Sequence, residues 1–271
     1  MRVFLSVDME GVAGVVHAEQ TRPYAPEYER SRRLMTAEAN AAIAGALDAG
    51  AREIVVSDAH WDMRNILPDE LHPHAELIQG SPRCWSMMEG IEAGFDAVCF
   101  IGYHGMAGTA GSVIDHTYTG SLLNVRINGR PIGEIGLNAA LAGAYGAPVV
   151  FVSGDQTAVA EARAWLGEDL PGVAVKQGLG RYAARSLAPE VARERIRQGV
   201  AAALRQRRAP VRLDGPLTLS IDFMKTVQAD YAAIMPGVER TAPRTVAYTA
   251  DDYLTLFRAF RVLFLLGGID V

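Results

Sequence analysis

Arg2-Val3-Phe4-Leu5-Ser6-Val7-Asp8-Met9-Glu10-Gly11 opens the chain, and its reading decides the fold. Arg2 to Val7 is short, mostly apolar and bounded by a glycine-containing turn, so it reads as a strand buried against helices on both sides. Asp8 and Glu10 lie where that strand stops. Residues two apart in extended chain point the same way, so both carboxylates emerge together at the strand's C-terminal end, where ligands bind in open α/β sheets. Two unpaired carboxylates at the rim of a core raise each other's pKa and lose water, a cost that a divalent cation removes. Turn closure or helix capping by Asp8 is the structural alternative.

Composition narrows the partners. A chain of 271 residues can bury a full core without covalent staples. With 49% hydrophobic and 21% charged residues it is ordinary globular material. The net charge of -5 and the scatter of arginines argue against nucleic acid, which needs a basic stripe. Arg205, Arg207 and Arg208 read instead as the complement of a helix C-terminus. The longest apolar run, Val262 to Leu266, is far too short to span a bilayer, and no signal-peptide pattern opens the chain. No membrane partner and a cytoplasmic location are therefore expected. Cys84 and Cys99 lack the spacing of a zinc pair and read as buried free thiols.

Later strand ends repeat the pattern of the first. Tyr28 to Ala49 recurs with helical spacing and stops at Gly50. Glu53 to Ser57 is then a strand leading into Asp58-Ala59-His60, and Ala97 to Ile101 is another leading into Gly102-Tyr103-His104. Strand, helix, strand implies parallel neighbours, so His60 and His104 share an edge with Asp8 and Glu10. Between them, Trp61 to Pro82 reads as an irregular surface excursion with loop histidines at His72 and His74, and Met87, Met88 and Ile91 mark a short helix of core filler. Gly105 to Gly120 has the glycine and small residues of an active-site loop and carries Asp115-His116, with His116 a candidate proton shuttle or electrophile.

The second half reads mostly as scaffold. Leu122 to Ile127 runs into Asn128-Gly129, a type I′ hairpin pair. Glu134 opens a helix to Tyr145, either as a first-turn acid favoured by the dipole or as a metal ligand. Pro148 to Val152 is a buried strand, followed by a helix capped by Asp155 or Thr157. Val173 to Gln177 is a short strand whose Lys176 either neutralises an anion near the cleft or is exposed. A helix from Pro189 to about Arg207 closes a catalytic domain over 1–209. Leu217 to Phe223 and Thr245 to Thr249 as strands, with Val227 to Ala233 and Asp251 to Leu266 as helices, give a smaller C-terminal portion over 210–271. The expected class is α/β, a mostly parallel sheet flanked by helices, with a smaller C-terminal α+β portion.

Asp8, Glu10, His60, His104 and Glu134 form a carboxylate and imidazole set without thiolate, suited to zinc in a catalytic site, with manganese or cobalt as competitors. Five ligands exceed what one open zinc takes. Two ions sharing Asp8 as a bridge is the natural arithmetic, and a pair about 3.5 Å apart acidifies water and polarises a carbonyl, which implies hydrolysis.

Taken in order, Ser6-x-Asp8-x-Glu10-Gly11, Ser57-Asp58-Ala59-His60, Gly102-Tyr103-His104, Asp115-His116, Gly133-Glu134-Ile135-Gly136-Leu137-Asn138 and Ala174-Val175-Lys176-Gln177 resemble the D-aminopeptidase family of dipeptide-transport operons. The match is weakest after His17 and beyond about Pro210. This resemblance implies a two-zinc aminopeptidase that removes N-terminal D-residues such as D-alanine from short peptides. It places Asp8 as the bridge, Glu10 and His60 on one zinc, His104 and Glu134 on the other, and His116 as the catalytic histidine. It also implies a homo-oligomer, a ring-stacked decamer whose chamber admits only small peptides. A two-metal phosphoesterase is the second hydrolytic reading, and expects a basic clamp that only Lys176 or Arg126 offers. A non-catalytic scaffold, stabilised by metal but without turnover, is the third.

Overall fold

The computed structural model describes residues 1–268. Strand β1 (Arg2–Val7) is followed by α1 (Ala18–Thr21), the long α2 (Tyr28–Asp48), β2 (Glu53–Asp58), β3 (Glu76–Ile78) and β4 (Ala97–Tyr103). A hairpin of β5 (Leu122–Ile127) and β6 (Arg130–Pro131) leads to α3 (Glu134–Ala144), β7 (Val149–Asp155), α4 (Gln156–Leu166), β8 (Gly172–Gly180), β9 (Ala183–Ser186) and α5 (Pro189–Ala203). After these come β10 (Leu217–Phe223), α6 (Thr226–Ala232), β11 (Glu239–Ala242), β12 (Thr245–Ala250) and α7 (Tyr253–Gly267).

Seven strands make one sheet in the order β3-β2-β1-β4-β7-β8-β9, parallel except for the antiparallel edge β9. Strand β1 is central: Val7 pairs with Asp58 on one side and Ile101 on the other, so Asp8 leaves the sheet between the ends of β2 and β4. Its residues alternate between two cores. Val3, Leu5 and Val7 pack with Met35, Ala39 and Ile43 of α2 and Ile196 and Val200 of α5, whereas Phe4 joins Trp85, Met88, Phe95 and Phe100 on the opposite face. Burial on both faces is why the strand reads as a nearly unbroken apolar run.

A second, antiparallel sheet has the order β11-β12-β10-β5-β6. Its β5–β6 hairpin comes from residues 122–131, so the portion expected over 210–271 is completed by an earlier segment of chain. Leu122, Val125 and Ile127 share one core with Leu219, Ile221, Phe257 and Phe260, and with Ile135 and Leu141 of α3. Asn128 and Gly129, at φ 50° and 79°, form the expected type I′ turn.

Departures from expectation lie at short or exposed pieces. Strand β3 sits within the stretch expected to be irregular, and β9 and β11 leave no signal in the sequence because edge strands of four mostly exposed residues carry no apolar alternation. The short helix expected around Met87 is instead two 3₁₀ turns, Ser86–Met88 and Ile91–Ala93. Helix α5 stops at Ala203, and beyond it Arg208 pairs with Asp169 at 2.9 Å while Arg205 donates to the Asp48 carbonyl. Cys99 is buried as expected, but Cys84 is exposed, in the loop that precedes Trp85. No helix among the described residues is long and apolar enough to cross a membrane.

Candidate active site

The turn after β1 is laid directly on the end of β4. Asp8 N–H donates to the Ile101 carbonyl at 2.8 Å and Gly11 N–H to the Gly102 carbonyl at 2.7 Å. A Cβ at Gly11 would fall 1.9 Å from the Tyr103 carbonyl oxygen, and one at Gly102, where φ is +71°, would fall 2.2 Å from that of Asp8. Only glycine permits this approach. The consequence is that Asp8 and His104, ninety-six positions apart by their numbering, meet at one rim.

His60 is delivered by a different device. The Asp58 carboxylate accepts from the amides of Asn65 and Ile66 at 2.6 and 2.7 Å, closing the loop beyond β2. His60 Nε2 lies 2.7 Å from the Thr21 carbonyl, which can only accept, so Nε2 is a donor and the ring in its neutral form presents its lone pair at Nδ1. That lone pair faces Glu10 Oε2 at 3.0 Å and Asp8 Oδ1 at 3.3 Å.

His104 mirrors this arrangement. Its Nδ1 donates to the Gly105 carbonyl at 3.0 Å, leaving Nε2 to face Asp8 Oδ2 at 3.4 Å and Glu134 Oε1 at 3.6 Å. Glu134 stands in the first turn of α3, and its Oε1 accepts from Tyr118 N–H at 2.6 Å. His116 stacks on His104 with ring centroids 4.2 Å apart and planes 14° from parallel. Its Nδ1 is bonded to the Ile114 carbonyl at 2.9 Å, and Nε2 lies 3.7 Å from Glu134 Oε1. All five expected ligand residues are buried, and His116 beside them is partly exposed.

Two sets of electron-rich atoms therefore converge: His60 Nδ1, Asp8 Oδ1 and Glu10 Oε2 in one, and His104 Nε2, Asp8 Oδ2 and Glu134 Oε1 in the other. Asp8 Oδ2, Glu10 Oε2 and His104 Nε2 are buried without a hydrogen-bond partner among the described residues. Such orphans are costly unless a cation fills the space between them. Burial alone would lower both imidazole pKa values, but the carboxylates of Glu10 and Asp8 raise that of His60 and those of Glu134 and Asp8 raise that of His104, each well above the usual value. Burial pushes the Glu134 carboxyl up, while at Asp8 the two histidines overcome burial and hold the carboxyl well below its ordinary range. Carboxylate and imidazole without thiolate, each ring fixed by a backbone carbonyl, is a donor set that fits zinc.

Several supporting residues gave no local signal. Ser6 Oγ lies 2.7 Å from the Tyr103 hydroxyl, which accepts from Asn138 Nδ2 at 3.0 Å, so residues of three motifs form one polar thread beneath the site. Lys176 is neither exposed nor free to meet an anion. It is buried, with Nζ donating to the carbonyls of Glu10, Val12 and Val15. Arg126 is held by Asp222 at 2.8 Å in the second sheet. Both cations that a phosphate clamp required are thus committed elsewhere. His72 and His74 lie against each other in their loop.

Paired carboxylates and imidazoles at the strand ends of a parallel sheet are the layout of a hydrolase that works through divalent cations. A family model described as D-aminopeptidase matches residues 1–262, and the chain belongs to that family of peptidases. It is 39% identical to the D-aminopeptidase of Bacillus subtilis over 269 residues, 97% of this chain and 96% of that protein. Its fold is similar to that of the zinc-dependent D-aminopeptidase DppA from Bacillus subtilis, described as a self-compartmentalizing protease, with a TM-score of 0.95, 37% identity and 98% of each chain covered.

Proposed function

We propose that this peptidase is a zinc-dependent aminopeptidase that releases N-terminal D-amino acids, of the D-alanine type, from short peptides or amides. The observation that carries the reading is the division of the Asp8 carboxylate, whose Oδ1 faces His60 and whose Oδ2 faces His104. Two ions per subunit suit that division, with Glu10 and His60 on one side of Asp8 and His104 and Glu134 on the other. Zinc, when bound, supplies the Lewis acidity that polarises a scissile carbonyl and lowers the pKa of water.

The chain's own groups do the remainder. Carbonyls of Thr21 and Gly105 lock the two imidazoles in the tautomers that leave a lone pair for the cation. The Ile114 carbonyl keeps the proton on His116 Nδ1, so the neutral ring offers Nε2 as an acceptor on the Glu134 side of the site. His116 takes there the proton that the attacking water gives up and passes it to the departing amine. Being partly exposed, it stands between the buried donors and an incoming substrate.

The similarity to a self-compartmentalizing protease supports a homo-oligomer; a decamer at work in the cytoplasm is our proposal for its form and place. Purified protein should hydrolyse D-Ala-D-Ala and D-alanyl amides, lose the activity to a chelator and recover it with zinc. Zinc-replete protein that turns over neither D nor L substrates would sink the reading.

A further inference from the structure

One buried charge has no part in the chemistry above. Lys176 stands on β8 in register with Asp155 on β7. Its ammonium gives its hydrogens to three carbonyls of a single segment, those of Glu10, Val12, at 3.0 Å, and Val15. Three donors meet three acceptors, the full inventory of an ammonium group. Carbonyls turned to one point form the kind of cradle that holds an alkali cation, and here β8 supplies the cation from within the chain. The bond is to the Glu10 carbonyl and leaves its carboxylate free to face His60.

The same segment has two further ties. Ala13 N–H donates to Glu38 Oε1 at 2.8 Å and Gly14 N–H to Ser186 Oγ at 3.0 Å, so residues 10–15 pass over the strand ends from β1 towards β9 with Lys176 beneath them. Asp155, next door, holds a different loop. Its Oδ2 accepts from Ser112 Oγ and Val113 N–H at 2.9 and 2.8 Å, and Ser112 Oγ accepts from Gly105 N–H at 3.0 Å. Two neighbouring side chains of opposite charge thus anchor the two loops that flank the site.

We propose that Lys176 is a positioning residue for the Asp8–Glu10 turn, an internal cation whose three carbonyl bonds set the direction in which Glu10 presents its carboxylate to His60. The purpose of that positioning rests on the zinc-peptidase reading, whereas the anchoring is a property of the chain itself.

The test uses the full chain as wild type, Lys176→Ala and Asp155→Asn, with Lys176→Gln in place of the alanine variant if that fails to fold. Amide hydrogen exchange of the zinc-free protein, zinc affinity by chelator competition, and kcat and KM on D-alanine p-nitroanilide are measured in ammonium chloride and in tetramethylammonium chloride at equal ionic strength. For Lys176→Ala, exchange should rise over residues 11–16 and not over 105–113, zinc affinity should fall about 10- to 100-fold, and kcat should fall more than KM rises. Ammonium should recover all three. Tetramethylammonium, which has no hydrogen to donate, should recover none. Asp155→Asn should raise exchange over 105–113 instead and ignore ammonium. A folded Lys176 variant with wild-type exchange over 11–16 and wild-type zinc affinity overturns the proposal, as does loosening spread over both loops and indifferent to ammonium. Wild-type protein that binds no zinc overturns the peptidase reading alone, and the exchange pattern then decides the anchor by itself.

Discussion

Asp8 is where both halves of the site meet, with Oδ1 3.3 Å from His60 Nδ1 and Oδ2 3.4 Å from His104 Nε2. Its position just past an apolar strand was readable, as were those of Glu10, His60 and His104, because a polar residue after a buried run marks the rim of a sheet. Roles set by remote partners were not readable: nothing near Lys176 shows that it meets the Glu10 carbonyl. His116→Ala should fold and keep its metal while kcat drops about 10²- to 10⁴-fold. Unchanged turnover with metal retained would remove His116 from the chemistry, whereas metal-loaded wild type and variant that both fold and both lack turnover would favour the scaffold alternative. Glu38 offers a test by pH. Burial pushes its carboxyl up to about 7, against the pull of Ala13 N–H and the Lys176 charge. The folded state then binds this proton more tightly than the unfolded chain, so the stabilisation is present in full below about 4.5 and is lost as pH rises through about 7. Glu38→Gln removes that loss. Its Tm relative to wild type should climb between pH 5 and pH 8, by the equivalent of at most about 3 kcal/mol, and a gap independent of pH would refute the assignment.

At the scale of elements, the site depends on how closely the turn after β1 approaches β4. Gly11→Ala would place a methyl 1.9 Å from the Tyr103 carbonyl oxygen, and backbone cannot yield there as a flexible side chain could. We expect a loss of more than about 2 kcal/mol in stability together with weakened zinc binding, both read from thermal melts with and without the metal. A variant as stable as wild type would show that the turn can lift. The central strands and long helices were legible because period and length agree with burial on one or both faces. The edge pieces β3, β9 and β11 were not, since their pairing comes from a neighbour already in place and leaves no pattern in their own residues.

Across the whole molecule, the two sheets are joined through one apolar core rather than placed end to end. Removing residues 211–271 would strip β5 of β10 and expose Leu122, Val125 and Ile127, so the truncated chain should be insoluble or molten. A soluble 1–210 fragment with a cooperative melt would establish an independent catalytic domain. Sedimentation velocity of the full chain checks the proposed decamer, and a monomer at micromolar concentration would remove it. The sequence by itself determined the parallel sheet and the donor types at its strand ends, because burial imposes an apolar period and the positions just beyond it are read directly from the chain. Only the tertiary structure decided which carbonyls orient His60, His104 and His116, which hairpin completes the second sheet and what holds Lys176. Those are contacts between segments far apart in the chain, set by packing, and packing leaves no local period to read.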